Sequence, residues 1–122
     1  MTIYTKYNGR IIVNLTEPIS LISKSGKLKK VMAKIDTGAT RSSIDIKLAT
    51  KLNLGPVIKS KIVKSASGNK LRPVIEGGVI LAGQKIYSEF TLADRTHMKY
   101  AVLIGVNVLK QGFLVDPSKK IR

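Results

Sequence analysis

Hydrophobic positions along this chain come in short alternating runs and not in long helical stripes. Val31, Ala33 and Ile35 alternate with Met32 and Lys34, the period of two that gives a strand one buried face. Residues 11–15 and 19–22 also read as short strands, separated by Thr16-Glu17-Pro18, and Ser25-Gly26 turns into the strand that stops at Asp36. Residues 57–63 and 71–75 flank Ser65-Ala66-Ser67-Gly68-Asn69-Lys70, a hairpin tip in which Gly68-Asn69 suits a turn of positive φ. Gly77-Gly78-Val79-Ile80-Leu81 and residues 85–92 flank Ala82-Gly83-Gln84 as a second hairpin, and residues 102–104 and 113–115 complete the strands. Only residues 46–53 predict a sizeable helix. Leu48 and Leu52 stand four apart there, Ser42-Ser43-Ile44-Asp45 offers capping groups, and Gly55-Pro56 stops it. Residues 106–111 add one or two helical turns, ended by Gly112. Many short strands with one or two short helices predict an all-β, barrel-like domain.

Composition narrows the class. A chain of 122 residues with 43% hydrophobic content predicts one domain, residues 1–122, around a single core. No apolar run approaches a membrane span, Met1-Thr2-Ile3-Tyr4 lacks the shape of a signal peptide, and there is no cysteine. A soluble cytoplasmic protein without a membrane partner is the economical expectation. Charge changes the picture more. Twenty-two Lys and Arg against seven acids give +15, enough to draw an anionic partner nonspecifically. Aromatics are only 5%, with no Trp, so dedicated nucleic-acid recognition is not indicated. A lysine-rich solvated surface explains the same composition about equally well.

The candidate chemistry lies at Asp36-Thr37-Gly38-Ala39-Thr40. By itself this is either a strand ending in an Asx turn or a turn that presents a functional carboxylate. Gly38 permits positive φ or close approach of another backbone. Asp36-Thr37-Gly38-Ala39 resembles the catalytic signature of retropepsin-type aspartic peptidases, and Ala101-Val102-Leu103-Ile104-Gly105 resembles their second, hydrophobic-hydrophobic-glycine signature. Residues 91–100 and 113–118 are similar to a narrower group, small prokaryotic retropepsin-like proteins labelled ATP-dependent zinc proteases. The resemblance spans about residues 32–118. Two positions depart from its pattern: Val106, where Arg is usual, and Ala101, where Pro is common.

The resemblance implies a closed retropepsin-like barrel, with the hairpin around Ser67-Gly68-Asn69 as a flap over bound substrate. It implies Asp36 for acid–base work, Thr37 for positioning across a dimer and Gly38 for backbone geometry. Leu103, Ile104 and Gly105 would support the acid loop. Ala39, Thr40, Ser67, Gly68, Asn69 and Arg95 would touch substrate, Arg95 bracing the site or its groove; for Asp94-Arg95 the plain alternative is a surface ion pair. Aspartic peptidases use two carboxylates around one water, and this chain has one Asp-Thr-Gly, so the expected partner is a second copy in a two-fold homodimer. The substrate is then a peptide or protein, and +15 suits an acidic, oligoglutamate-like one. The competing reading is a catalytically weak binding module for an acidic protein or RNA. No cofactor is expected: one histidine, His97, and no cysteine do not make a zinc site, and no nucleotide-binding glycine loop is present.

Overall fold

The computed structural model describes residues 3–66 and 68–120. Their strands are β1 (Lys6–Tyr7), β2 (Arg10–Val13), β3 (Thr16–Ile22), β4 (Leu28–Ile35), β5 (Ser42–Asp45), β6 (Val57–Ser65), β7 (Gly68–Leu81), β8 (Gln84–Ala93), β9 (Val102–Ile104) and β10 (Phe113–Val115). Two short helices join them, α1 (Ile46–Lys51) and α2 (Val106–Leu109). Strand order in the large sheet is β3-β4-β9-β5-β8-β7-β6, and β3 also pairs with β7. That second pairing closes six strands into a barrel and leaves β6 outside it. A small sheet, β1-β2-β10, lies apart, with β10 running parallel to β2.

The strands form where the alternation falls. In β3, Glu17, Ile19 and Leu21 are buried while their neighbours are half-buried or exposed. Glu17 tolerates burial because Lys119 Nζ lies 2.8 Å from its Oε2 and the Asn14 amide donates to the same oxygen at 2.6 Å. Ile19, Leu21, Ile44, Ile75, Leu81, Phe90 and Ile104 fill the barrel, each almost fully excluded from solvent. Burial of each such side chain contributes about 1.5–3 kcal/mol. The β7–β8 turn is a two-residue connection, Leu81 pairing with Gln84, and both Ala82 (φ 48°) and Gly83 (φ 76°) take the left-handed backbone that matches strand twist. No helix among the described residues is long and apolar enough to cross a membrane.

Four local expectations are corrected. Thr16-Glu17-Pro18 does not separate strands but begins β3. Pro18 pairs with Met32 of β4, and β7 joins β3 only from Ile19 onward, so the missing N–H falls where one edge is open. Residues 71–75 and 77–81 are not two strands but parts of the single 14-residue β7. Ser42-Ser43-Ile44-Asp45 is a fully buried strand, of which only Asp45 acts as a cap, its Oδ2 accepting from Leu48 N at 3.3 Å. Helix α1 accordingly begins at Ile46 and ends at Lys51, two residues short of the expected end.

Candidate active site

Strand β4 runs beside β9 in parallel, Ile35 opposite Ile104, and delivers Asp36 just beyond the barrel wall. The Asp36 amide donates to Ile104 O at 2.8 Å, fixing the residue where the strand ends. Its carboxylate then turns back, Oδ1 accepting from Gly38 N at 2.9 Å. A Cβ on Gly38 would lie 3.2 Å from that oxygen, so the glycine leaves room for the carboxylate to sit against its N–H. Gly38 has no positive φ; of the expected reasons for glycine, close approach is the one that operates, and the approaching group is Asp36 itself. Asp36 is half-buried, whereas Thr37, Gly38 and Thr40 are exposed and Ala39 half-buried. One carboxylate oxygen is thus held while the loop around it faces solvent.

A strap from the far end of the chain holds this loop. Val106 N donates to Ala39 O at 2.8 Å and Asn107 N to Thr40 O at 3.2 Å. Asn107 Oδ1 accepts from both the amide (3.0 Å) and hydroxyl (2.8 Å) of Ser42, and its Nδ2 donates to Ser88 Oγ (3.0 Å) and Glu89 O (2.8 Å). Ser42 Oγ in turn accepts from Gly105 N at 2.9 Å. Gly105 is crowded by the loop backbone: a Cβ there would stand 2.5 Å from Arg41 O and 2.7 Å from Ala39 O. Leu103 and Ile104 lie behind the acid loop, Ile104 wholly buried and Leu103 half-buried.

The β6–β7 hairpin rises past the barrel. Strand β7 pairs with β8 only from Val74 onward, so residues 68–73 are paired with β6 alone. Gly68 (φ 111°) opens β7 opposite Ser65, and Asn69 is an ordinary strand residue opposite Lys64, so the expected Gly68-Asn69 turn is instead a strand start. Ser67 lies outside the described residues. At the hairpin base, Glu89 of β8 joins Lys59 Nζ (2.9 Å) and Arg41 Nη1 (3.2 Å), which links β6 to the end of the acid loop.

Arg95 differs most from the plain expectation. It forms no surface pair with Asp94; that carboxylate accepts from Thr96 Oγ1 (2.5 Å) and N (3.0 Å), bonds that hold it below the usual aspartate range. Arg95 is buried, its N bonded to Asp45 Oδ1 (2.8 Å) and its Nε to Tyr100 O (2.9 Å). Burial chiefly, then the charge of Arg72, lowers its guanidinium from the ordinary arginine value, against the pull of Asp45 and Asp36. His97 is exposed, and among the described residues no three His, Cys, Asp or Glu side chains cluster as metal ligands would.

Ser42, Asn107 and Arg72 were not anticipated as site residues. Ser42 and Asn107 are 65 positions apart, and no periodicity links them. A buried serine beside a post-glycine asparagine is legible only once β5 and α2 are seen to meet.

Comparison with known proteins agrees with this fold. The family model described as "RimB-like: Retropepsin-like aspartic endopeptidase RimB" matches residues 47–122, a stretch that holds Gly105 and Asn107 and begins after the acid loop. The fold is similar to the crystal structure of Lpg0085 from Legionella pneumophila, a protein described as of unknown function, with TM-score 0.64, 20% identity, and 94% of this chain and 98% of that one covered. It is also similar to the solution structure of simian foamy virus (mac) protease, with TM-score 0.57, 20% identity, and 81% and 99% covered. No curated protein matches.

Proposed function

Since the chain belongs to the RimB-like family of retropepsin-like aspartic endopeptidases, we propose that two copies assemble about a two-fold axis and hydrolyse peptide bonds with a water held between their Asp36 carboxylates. The observation that carries this reading is the held carboxylate of Asp36 on a strapped loop, with no second such group among the described residues. Of the six other acids, Asp45 caps α1, Glu17 and Glu89 are in ion pairs, Asp94 and Asp116 bond Thr96 and Ser118, and Glu76 lies exposed on β7. The missing carboxylate comes from the partner copy, and an isologous contact places equivalent residues on its axis.

Two carboxylates that close cannot both ionise, so they share a proton. The ionised one takes a proton from the water as it attacks the scissile carbonyl, and the protonated one donates to the developing oxyanion. The proton then reaches the leaving amine, and the titration belongs to the pair. Gly38 N–H steadies one oxygen of each acid, Thr37 lies where loops from two copies would meet, and the hairpin acts as the flap over an extended peptide. The charge of +15 favours an acidic substrate of the oligoglutamate type.

The test is digestion of a peptide library from acidic to neutral pH, beside Asp36→Asn, with mass measured by light scattering under the same conditions. Cleavage by a dimer, reduced about 10²–10⁴-fold in the variant, is expected. A strictly monomeric active species, or a variant that cleaves normally, overturns the reading. Salt-sensitive RNA binding with no cleavage of any peptide favours a binding module instead.

A further inference from the structure

Away from the acid loop, strands β4, β3, β7 and β8 share an outer face whose residues the pairing registers set in rows. Lys30 of β4 stands opposite Ser20 of β3, Ser20 opposite Ile80 of β7, and Ile80 opposite Lys85 of β8. The next row is Leu28, Ile22, Gly78 and Tyr87. The alternate residues Ile19, Leu21, Val79, Leu81 and Ile86 are buried in the core, so both rows point outward. Gly78 is nevertheless buried, because a ring lies on it. A Cβ there would stand 2.8 Å from the Tyr87 ring and 3.1 Å from Ile22 Cδ1. Tyr87 therefore rests flat against the sheet and, at 56% exposure, turns its other side to solvent. Lys85 Nζ stands 5.9 Å from the ring centre. A hollow of about 260 Å³ adjoins the ring, with Lys24 at its edge. Along the first row the face deepens into a trough of about 710 Å³, lined also by Tyr4 and Lys120. The acids of the trough are engaged, Glu17 with Lys119 and Asp116 with Ser118. Lys24, Lys30, Lys85 and Lys120 have no carboxylate partner among the described residues. Beyond Tyr87, Glu76 and Glu89 stand opposite each other and bound the cationic strip.

We infer that this face binds single-stranded nucleic acid, with a base stacked on Tyr87 and the backbone phosphates on Lys24, Lys30 and Lys85. An aromatic ring laid on a sheet offers a π-face to any unpaired base, and ammonium groups on either side meet the phosphates that follow it. A duplex keeps its bases stacked on one another and has none to give the ring. Composition alone argues against such recognition because aromatics are few, yet two of them, Tyr4 and Tyr87, line this one face. The site is separate from the acid loop: Lys30 lies six positions before Asp36, about 20 Å along an extended strand. It stands whether or not the chain cuts peptides.

The experiment measures binding to the full-length chain by fluorescence anisotropy, with a labelled oligouridine strand, the same strand in a duplex with oligoadenosine, and labelled oligoglutamate, over a series of salt concentrations. Vesicles containing phosphatidylserine are tested by co-sedimentation. The single strand should bind more tightly than the duplex. Tyr87→Ala should weaken strand binding about fivefold or more, and Tyr87→Phe, which keeps the ring, should restore it. Lys30→Gln and Lys85→Gln should each reduce the slope of log affinity against log salt by about 0.7, as loss of one phosphate contact requires. Lys64→Gln, on the β6–β7 hairpin, should leave that slope unchanged. Circular dichroism confirms that each variant is folded. Unchanged strand affinity in Tyr87→Ala overturns the inference, as does a duplex bound as tightly as the strand. An equal change of slope in Lys64→Gln also overturns it, since it would mean a diffuse field. So does a dependence on Tyr87 seen only with oligoglutamate or with vesicles, which would assign the face to an acidic protein or to a membrane.

Discussion

The acid loop and the β6–β7 hairpin flank one end of the barrel and are built on opposite terms. The acid loop is short, nearly free of charge up to Arg41, and tied to β9, β5 and α2 by backbone bonds and by Ser42 and Asn107. The hairpin is long and cationic, exposes Val57, Ile58, Ile62 and Leu71, and beyond Val74 is paired with nothing but itself. A reacting carboxylate needs fixed geometry, which backbone hydrogen bonds in a packed setting supply. A cover over substrate needs the reverse: few buried contacts, so that opening costs little free energy.

That contrast breaks first at Gly105. Gly105→Ala puts a Cβ 2.5 Å from the Arg41 carbonyl, and neither backbone can yield without moving the acid. Destabilisation of about 1–3 kcal/mol or more is expected in urea unfolding, together with loss of peptidase activity. Asn107→Ala comes next. It leaves the Ser42 amide and hydroxyl without their acceptor in a buried setting, for about 1–3 kcal/mol, and the same denaturation series checks it.

On the hairpin the effects shrink. Glu89→Gln breaks the link to Lys59 and Arg41, and at neutral pH it should cost under about 1 kcal/mol, since these groups are partly solvated. Its pH dependence has a definite sign. The hydrogen bond and charge of Lys59, then Arg41, hold the Glu89 carboxyl below its ordinary value despite partial burial. A depressed folded-state pKa gives stability that is present above the unfolded value and lost as pH falls through the folded one. The difference between Glu89→Gln and the unsubstituted chain should therefore narrow in acid and be constant from neutral pH upward. Smallest is Ile62→Ala, at 65% exposure, with a change in unfolding free energy within about 0.5 kcal/mol. A large effect there would mean that the hairpin is packed in solution and the contrast is false.

Much of the fold was legible because its signals are local. Alternation in β3 and β4 and the Ala82-Gly83 turn each depend on a few neighbouring residues. Misreadings came where a local signal depends on a distant partner. Pro18 reads as a break, yet a proline interrupts a sheet only where a second strand asks for its N–H, and β7 does not reach that point. Residues 71–75 and 77–81 read as two strands, yet β7 runs through both because β6 and β8 pair with it in turn. Ser42-Ser43-Ile44-Asp45 reads as polar capping material, and its burial follows from the strands on either side, β8 and β9.

By itself the sequence determined the class of fold, the acid at Asp36 and the excess of positive charge, since strand period, a short motif and composition are all properties of neighbours or sums along a chain. Tertiary structure alone decided that Asn107 braces a loop 65 positions away through Ser42, and that Arg95 is buried and bonded to Tyr100 O instead of paired with Asp94. Contacts across such distances in sequence exist only once the barrel closes, because closure, and not local preference, selects which strands and loops become neighbours.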